Sequence, residues 1–256
     1  MKVVILAGGL GTRISEESFL VPKPMIRIGE QPILWHIMKH FSSYGFNDFI
    51  ICTGYKQHII KDYFNNYQLY TSNVTFDYTK NPIQKFHDET DAWKVTVLDT
   101  GLATMTGGRL KQIKDYLDDD IFFMTYGDGV SNINLNELLK HHQKHQKLAT
   151  ISAVQPSGRF GRLEINSNSS VKTFREKDKE DSGWINGGFM VLNKKVLDLI
   201  GGNDVVFEHQ PLEDLIKMNE MSAYKHHGFW QCMDTMRDKD YLEKLWIANE
   251  APWKVW

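Results

Sequence analysis

Gly8, Gly9 and Gly11 crowd into one short turn, with Arg13 just beyond and Lys23 set between Pro22 and Pro24. A glycine-rich turn binds phosphate when its free amides converge on one point, and glycine lets a ligand approach the main chain with no Cβ in the way. Arginine adds a planar fork for two phosphate oxygens, while lysine adds a compact, movable charge. The two prolines fix their own φ and bias their predecessors toward extended geometry, so Lys23 is presented on a stiff backbone. The set suits chemistry at a triphosphate. Two familiar phosphate loops are excluded. No Gly-Lys-Ser/Thr triplet occurs, and Ile14 stands where the dinucleotide fingerprint needs its last glycine.

Two acids complete the candidate chemistry. Asp128 sits between Gly127 and Gly129, directly after the apolar run 121–125. In open α/β sheets ligands bind beyond the carboxyl ends of strands, so this acid should face the same crevice as the glycine turn. An acid there repels phosphate unless a cation intervenes, and Mg²⁺ takes one or two carboxylates plus phosphates and water. Gly-Asp-Gly is also an ordinary turn, and the residues alone leave both readings open. Asp234 ends the strand-like segment that begins at Trp230 and precedes the last helix. Taken by itself it reads as a helix cap.

The elements that must position these groups alternate. Residues 3–7 are an apolar, β-branched run with the look of a buried parallel strand. Ile33, Leu34, Ile37, Met38 and Phe41 mark one face of a helix over 31–41. Strands follow at 48–53 and 74–78, with a helix at 57–64 between them, and residues 79–95 read as a loop. A strand at 95–98, a helix at 107–117 and a strand at 121–125 come next. A helix at 135–147 and a strand at 149–154 continue the βαβ rhythm. Short strands at 162–165, 171–175 and 188–192 point to a more mixed sheet, and helices are expected at 194–200, 211–218 and 237–249. The expected architecture is one α/β domain over residues 1–256, with a Rossmann-like, mostly parallel mixed sheet and helices on both faces.

Bulk properties narrow the partners. The chain has 256 residues, 41% of them hydrophobic and 24% charged, enough for a sizeable core. A formal charge of −2 gives no global attraction to nucleic acid or to an anionic membrane. No signal peptide or membrane span is legible, so a soluble, cytoplasmic protein is expected. Cys52 and Cys232 lie in apolar settings and read as reduced, buried thiols. His141 with His145, and His226 with His227, lack a third ligand at metal spacing and read as surface residues. No protein nucleophile is suggested.

The run Leu6-Ala7-Gly8-Gly9-Leu10-Gly11-Thr12-Arg13, followed by Pro22-Lys23-Pro24-Met25, resembles the signature of the sugar-nucleotide pyrophosphorylases, nucleotidyltransferases that act on sugar 1-phosphates. The segment from Thr100 through Thr104 to Arg109, with Phe207 to Glu213, is similar to the cytidylyltransferase branch of that family. Similarity runs from Met1 to about Trp246. The resemblance implies transfer of the cytidylyl group of CTP to glucose 1-phosphate. It assigns Leu6 to Arg13, Lys23, Thr104, Arg109 and Asp128 to the nucleotide, with Arg13 and Lys23 catalytic. It assigns Gly161, Glu176, Lys177 and Asn186 to the sugar phosphate, and Asp128 with Asp234 to Mg²⁺. It also implies a homo-oligomer such as a hexamer, and Trp253 and Trp256, read as exposed, are compatible with contacts between chains. Rival readings are the same chemistry with another base or sugar (a uridylyl- or thymidylyltransferase), or a catalytically silent nucleotide-binding relative.

Overall fold

The computed structural model describes residues 1–79, 83–87, 90–156, 162–165, 170–175 and 183–256. Seven strands form the central sheet: Val3–Leu6 (β1), Asp48–Thr53 (β2), Lys94–Asp99 (β3), Ile121–Tyr126 (β4), Ala149–Val154 (β5), Ile185–Asn193 (β6) and Met221–His226 (β7). Their spatial order is β7-β5-β6-β4-β1-β2-β3. Parallel pairing joins β3 to β2, β2 to β1, β1 to β4, and β5 to β7. Only β6 runs against its neighbours, β4 and β5.

Helices Ile33–Ser43 (α1), Gln57–Asn65 (α2), Thr106–Gln112 (α3), Leu135–His145 (α4), Gln210–Lys217 (α5) and Met236–Ile247 (α6) accompany the sheet. Every residue of β1 is buried, as in a strand covered on both faces. Its side chains alternate between two cores. Val3 and Ile5 pack in the cluster that holds Ile37 and Phe41 of α1, Leu138 of α4 and Leu242 of α6. Val4 and Leu6 pack in the cluster that holds Leu110 of α3 and Leu212 and Leu215 of α5. Each such burial is worth roughly 1.5–3 kcal/mol. A one-residue slip of β1 would exchange its entire contact set, so the register is strongly specified.

Beyond β1 the chain builds outward to β2 and β3, then returns to place β4 on β1's other side. That reversal opens a crevice at the carboxyl ends of β1 and β4, where the glycine turn and Gly127-Asp128 both emerge. The expected third parallel strand proves to be different. Val74–Asp77 pairs antiparallel with Ile83–Phe86 in a separate hairpin, part of which lies in the stretch expected to be loop. Both strands are short, and pairing with each other satisfies their backbones without joining the sheet. Lys94–Asp99 takes the third place instead. The helix expected over 107–117 ends at Gln112 and continues as a 3₁₀ turn, Lys114–Tyr116, and residues Lys194–Leu199 are likewise 3₁₀. Among the described residues no helix is long and apolar enough to cross a membrane.

Trp253, expected at the surface, is fully buried. Its indole Nε1 donates to His36 Nδ1 at 3.3 Å, while His36 Nε2 donates to the Ile28 carbonyl at 2.9 Å. An indole N–H can only donate, so Nδ1 must accept and the imidazole must be neutral. Trp246 meets the same ring edge-on at 4.6 Å. His36 therefore ties the carboxyl-terminal segment to α1, which explains why an aromatic tail closes inward. Burial pushes the His36 pKa down to about 4, and burial does the same to His40, which also falls to about 4.

The unfolded chain takes up these two protons near the ordinary histidine value of 6.5, whereas the folded chain resists until about 4. Stability present above pH 6.5 is thus lost as pH falls toward 4, by about 3 kcal/mol per histidine. Denaturant unfolding at pH 7 and pH 4.5 should show this drop. His36→Gln should be less stable at pH 7 yet lose less on acidification.

Candidate active site

Tertiary structure sets two loops side by side. The Ala7 amide donates to the Cys52 carbonyl at 2.8 Å and the Gly127 amide to the Leu6 carbonyl at 3.0 Å. The turn after β1 therefore starts from a clamped strand end. Gly11 has φ +67°, and a Cβ there would stand 3.0 Å from Ser18 Cβ. The Ser18 hydroxyl donates to the Gly11 carbonyl at 2.8 Å and holds that turn closed.

Lys23 enters from the 3₁₀ turn Lys23–Met25 with its flanking prolines, and it is buried. Its Nζ donates to Asp128 Oδ2 at 2.6 Å and to Asp234 Oδ1 at 2.5 Å. Arg13 Nη1 donates to Asp234 Oδ2 at 2.7 Å from a side chain that is 72% exposed. The two acids, far apart in the chain, meet because of a small antiparallel ribbon. Gly129–Ser131 pairs with Trp230–Cys232, Gly129 lies opposite Cys232, and the Met233 amide donates to the Asp128 carbonyl at 2.8 Å. Asp128 and Asp234 are thereby placed at the same end of that ribbon. The helix cap once open to Asp234 belongs to Thr235, which forms a reciprocal box with Asp238. Asp234 keeps its carboxylate for the site.

Burial opposes charge on Lys23, but the pull of Asp128 and hydrogen bonds to both carboxylates outweigh it, leaving its pKa above the lysine norm of 10.5. Burial likewise works to raise Asp234, yet the Lys23 and Arg13 cations hold it below the ordinary 3.8. Lys23 and Asp234 therefore keep their charges in spite of burial. Among the described residues no group of three or more His, Cys, Asp or Glu is placed to hold a metal. What converges instead is a pair of hard carboxylates already gathered around one cation. That donor set fits Mg²⁺, whose remaining ligands are characteristically phosphate oxygens and waters.

Two cavities adjoin the cluster. One, of about 360 Å³, is lined by Leu6 to Gly9, Gly11 to Arg13, Lys23, Thr104, Arg109 and Asp128. The other, of about 330 Å³, is lined by Asn186, Glu208, Trp230, Cys232 and Asp234. Arg13, Tyr126 and Asp128 border both, so the cavities are halves of one crevice. Leu10 is exposed and stands outside this lining. Gly161, Glu176 and Lys177 lie outside the described residues. Asn186 accepts from the Gly188 amide at 2.8 Å on the floor of the second cavity.

Arg109 borders the first cavity, but its guanidinium is engaged with protein. Nη1 donates to the Thr53 carbonyl at 2.8 Å and to Thr100 Oγ1 at 2.6 Å, and Nη2 donates to the Gly8 carbonyl at 3.1 Å. A Cβ on Gly8 would sit 2.1 Å from Nη1. Arg109 thus braces the glycine turn from beneath, and Gly8 is the residue that leaves room for it.

Sequence reasoning left Tyr126, Glu208, Trp230 and Cys232 off the set of site residues. Tyr126 could have been found as the last strand residue before Gly127-Asp128, and Glu208 lies in the segment from Phe207 to Glu213 already compared. Cys232 is only partly buried, and its thiol donates to Asp234 Oδ2 at 3.7 Å. Cys52 is a buried free thiol, in line with expectation.

Arg109→Lys should weaken both fold and site, because one ammonium cannot reach acceptors spread across a fork. Thermal unfolding should show a loss of about 1–3 kcal/mol, the cost of stranding buried acceptors, and calorimetric titration should show weaker triphosphate binding.

Comparison with known proteins places this geometry. A family model described as Nucleotidyl transferase matches residues 2–240. The chain is 52% identical over 257 residues to the glucose-1-phosphate cytidylyltransferase of Salmonella typhimurium, covering the whole of both chains. It is 44% identical to a probable glucose-1-phosphate cytidylyltransferase of Bacillus subtilis, again over both full lengths. In structure it is similar to a UDP-glucose pyrophosphorylase complexed with UDP-glucose, with a TM-score of 0.69 at 16% identity, covering 97% of this chain and 98% of that one. That likeness concerns the fold. With a family match across nearly its whole length and full-length relatives at this identity, the chain belongs to the nucleotidyl transferase family.

Proposed function

We propose that this chain transfers the cytidylyl group of CTP to α-D-glucose 1-phosphate, giving CDP-glucose and pyrophosphate. The observation that carries the reading is Lys23 bridging Asp128 and Asp234 on the border between two half-cavities, in a chain 52% identical along its whole length to a glucose-1-phosphate cytidylyltransferase. The sugar phosphate is already an oxyanion, so no general base is needed. Two anions must be brought together while charge builds on the α-phosphate and the departing pyrophosphate, which makes the task one of positioning and electrostatics.

Each side chain then has a part. The amides of the glycine turn and the exposed Arg13 steady the triphosphate. Lys23 neutralises the α-phosphate region, released in part from its carboxylates when phosphate oxygens arrive. Thr104, at the edge of the first cavity, borders the base. Asn186 faces the sugar, and the resemblance adds Glu176 and Gly161 for the sugar and Lys177 for its phosphate. Asp128 and Asp234 would hold Mg²⁺, which when bound supplies charge neutralisation to the phosphate oxygens. The reading extends to a cytoplasmic homo-oligomer, on the family resemblance alone.

Competing CTP, UTP, ATP and dTTP with glucose 1-phosphate, with release of pyrophosphate and product identity as readouts, should show CTP preferred. Preference for UTP or dTTP would reassign the base, and no pyrophosphate from any pair would favour a silent nucleotide-binding relative. Lys23→Ala should lower turnover on the order of a hundredfold or more, as when one preorganised charge is removed. Near-normal turnover in a folded variant would reject that role. Activity should vanish in chelator and return with Mg²⁺, whereas full activity in chelator would take Asp128 and Asp234 out of metal binding.

A further inference from the structure

Glu208 is an acid in a crevice that must collect anionic substrates. Its two oxygens are both in use. Oε2 accepts from the Thr106 hydroxyl at 2.5 Å, and Oε1 accepts a short bond from the Tyr126 hydroxyl. Carboxylates take two donors at once through strong, charge-assisted bonds, whereas an amide offers a single acceptor oxygen.

The surrounding backbone is locked with equal care. The Phe207 amide donates to Thr106 Oγ1 at 2.9 Å, and the Gly107 amide to the Val205 carbonyl at 2.9 Å. A Cβ on Gly107 would meet that carbonyl at 2.7 Å, so the close approach of the Glu208 segment to the first turn of α3 requires glycine. Glu208 is therefore held at a defined place against the base-side loop. On its other side, Tyr126 lies across Gly188, where a Cβ would stand 2.7 Å from the ring. Gly188 in turn donates its amide to Asn186 Oδ1 at 2.8 Å. Hydrogen bonds join Thr106, Glu208 and Tyr126, and the Tyr126 ring packs on Gly188, which holds Asn186, so the run reaches from the first cavity to the second, with Tyr126 bordering both.

We propose that Glu208 is a positioning residue that fixes Tyr126, and through it Asn186, as the wall between the nucleotide and sugar-phosphate halves of the site. A largely buried phenol needs a partner for its hydroxyl. Without the carboxylate the ring is free to turn away from Gly188, and the floor under the sugar loses its shape. This role rests on the proposed transferase reading for the identity of the two halves, but not on which base or sugar is used.

The test is steady-state kinetics of Glu208→Gln, Tyr126→Phe and the double variant. The substrates are whichever nucleoside triphosphate and sugar 1-phosphate the unaltered protein turns over best. Failure of CTP or glucose 1-phosphate as that pair would count against the proposed function and leave this test intact. Each single change should raise KM for the sugar phosphate about tenfold, the scale of one lost bond to a charged group, with KM for CTP, or the triphosphate used, little changed. The double variant should be no worse than the more severe single one, because both changes break the same link. Multiplying effects would show that Glu208 acts independently of Tyr126 and would overturn the proposal, as would unchanged kinetics in Tyr126→Phe. Should Glu208→Gln fail to fold, Tyr126→Phe still decides, since it removes only a hydroxyl.

Discussion

A single ammonium group held between two carboxylates organises the functional end of this molecule. Lys23 is buried among acids that would repel each other without it, and each acid enters from a different part of the chain. Removing one partner of a buried ion pair typically costs about 3–5 kcal/mol, because the charge left behind is uncompensated. The cluster is thus more than a surface decoration. It joins the 3₁₀ turn of Lys23, the end of β4 and the entry to α6, three elements that the hydrophobic cores alone would not bring into such close register.

The rest of the fold can be understood as what keeps that junction in place. The parallel strands put two loops at one edge of the sheet, and backbone hydrogen bonds from Ala7 and Gly127 stop those loops from drifting. Arg109 supports the glycine turn from below, and the ribbon of Gly129–Ser131 with Trp230–Cys232 delivers Asp234 beside Asp128. Behind the sheet, His36 and Trp253 draw the carboxyl-terminal segment over α1, close to the helix that follows Asp234. Charge assembly in front therefore depends on neutral, dry packing behind.

An arrangement of this kind can bind anions while carrying few net positive charges. The chain has a formal charge of −2, so attraction for phosphate must be local. An exposed arginine and a lysine shared with acids are the cations the crevice offers for it. Because Lys23 is paired with both carboxylates, its charge is balanced within the cluster. The same economy appears at Glu208, where both side-chain oxygens are matched to hydroxyl donors.

Much of this was legible in the residues themselves. Buried β1, the glycine turn, Arg13, Lys23 between prolines, and Asp128 at a strand end are local patterns, and local patterns survive in one dimension because steric and periodic constraints act over a few residues. The parallel core followed for the same reason. Tertiary structure alone decided the rest. Asp234 read locally as a cap, and only the ribbon register and Thr235 free it for the site. Arg109 lines the first cavity, but nothing near it in the chain announces that its fork also meets the Thr53 and Gly8 carbonyls. Trp253 looked exposed because nothing in its neighbourhood announces His36, and Val74–Asp77 looked like a sheet strand because a short apolar run does not say which partner it will find. Long-range pairing is specified by shape and by which buried polar groups must be satisfied, and that information exists only once the chain has closed on itself.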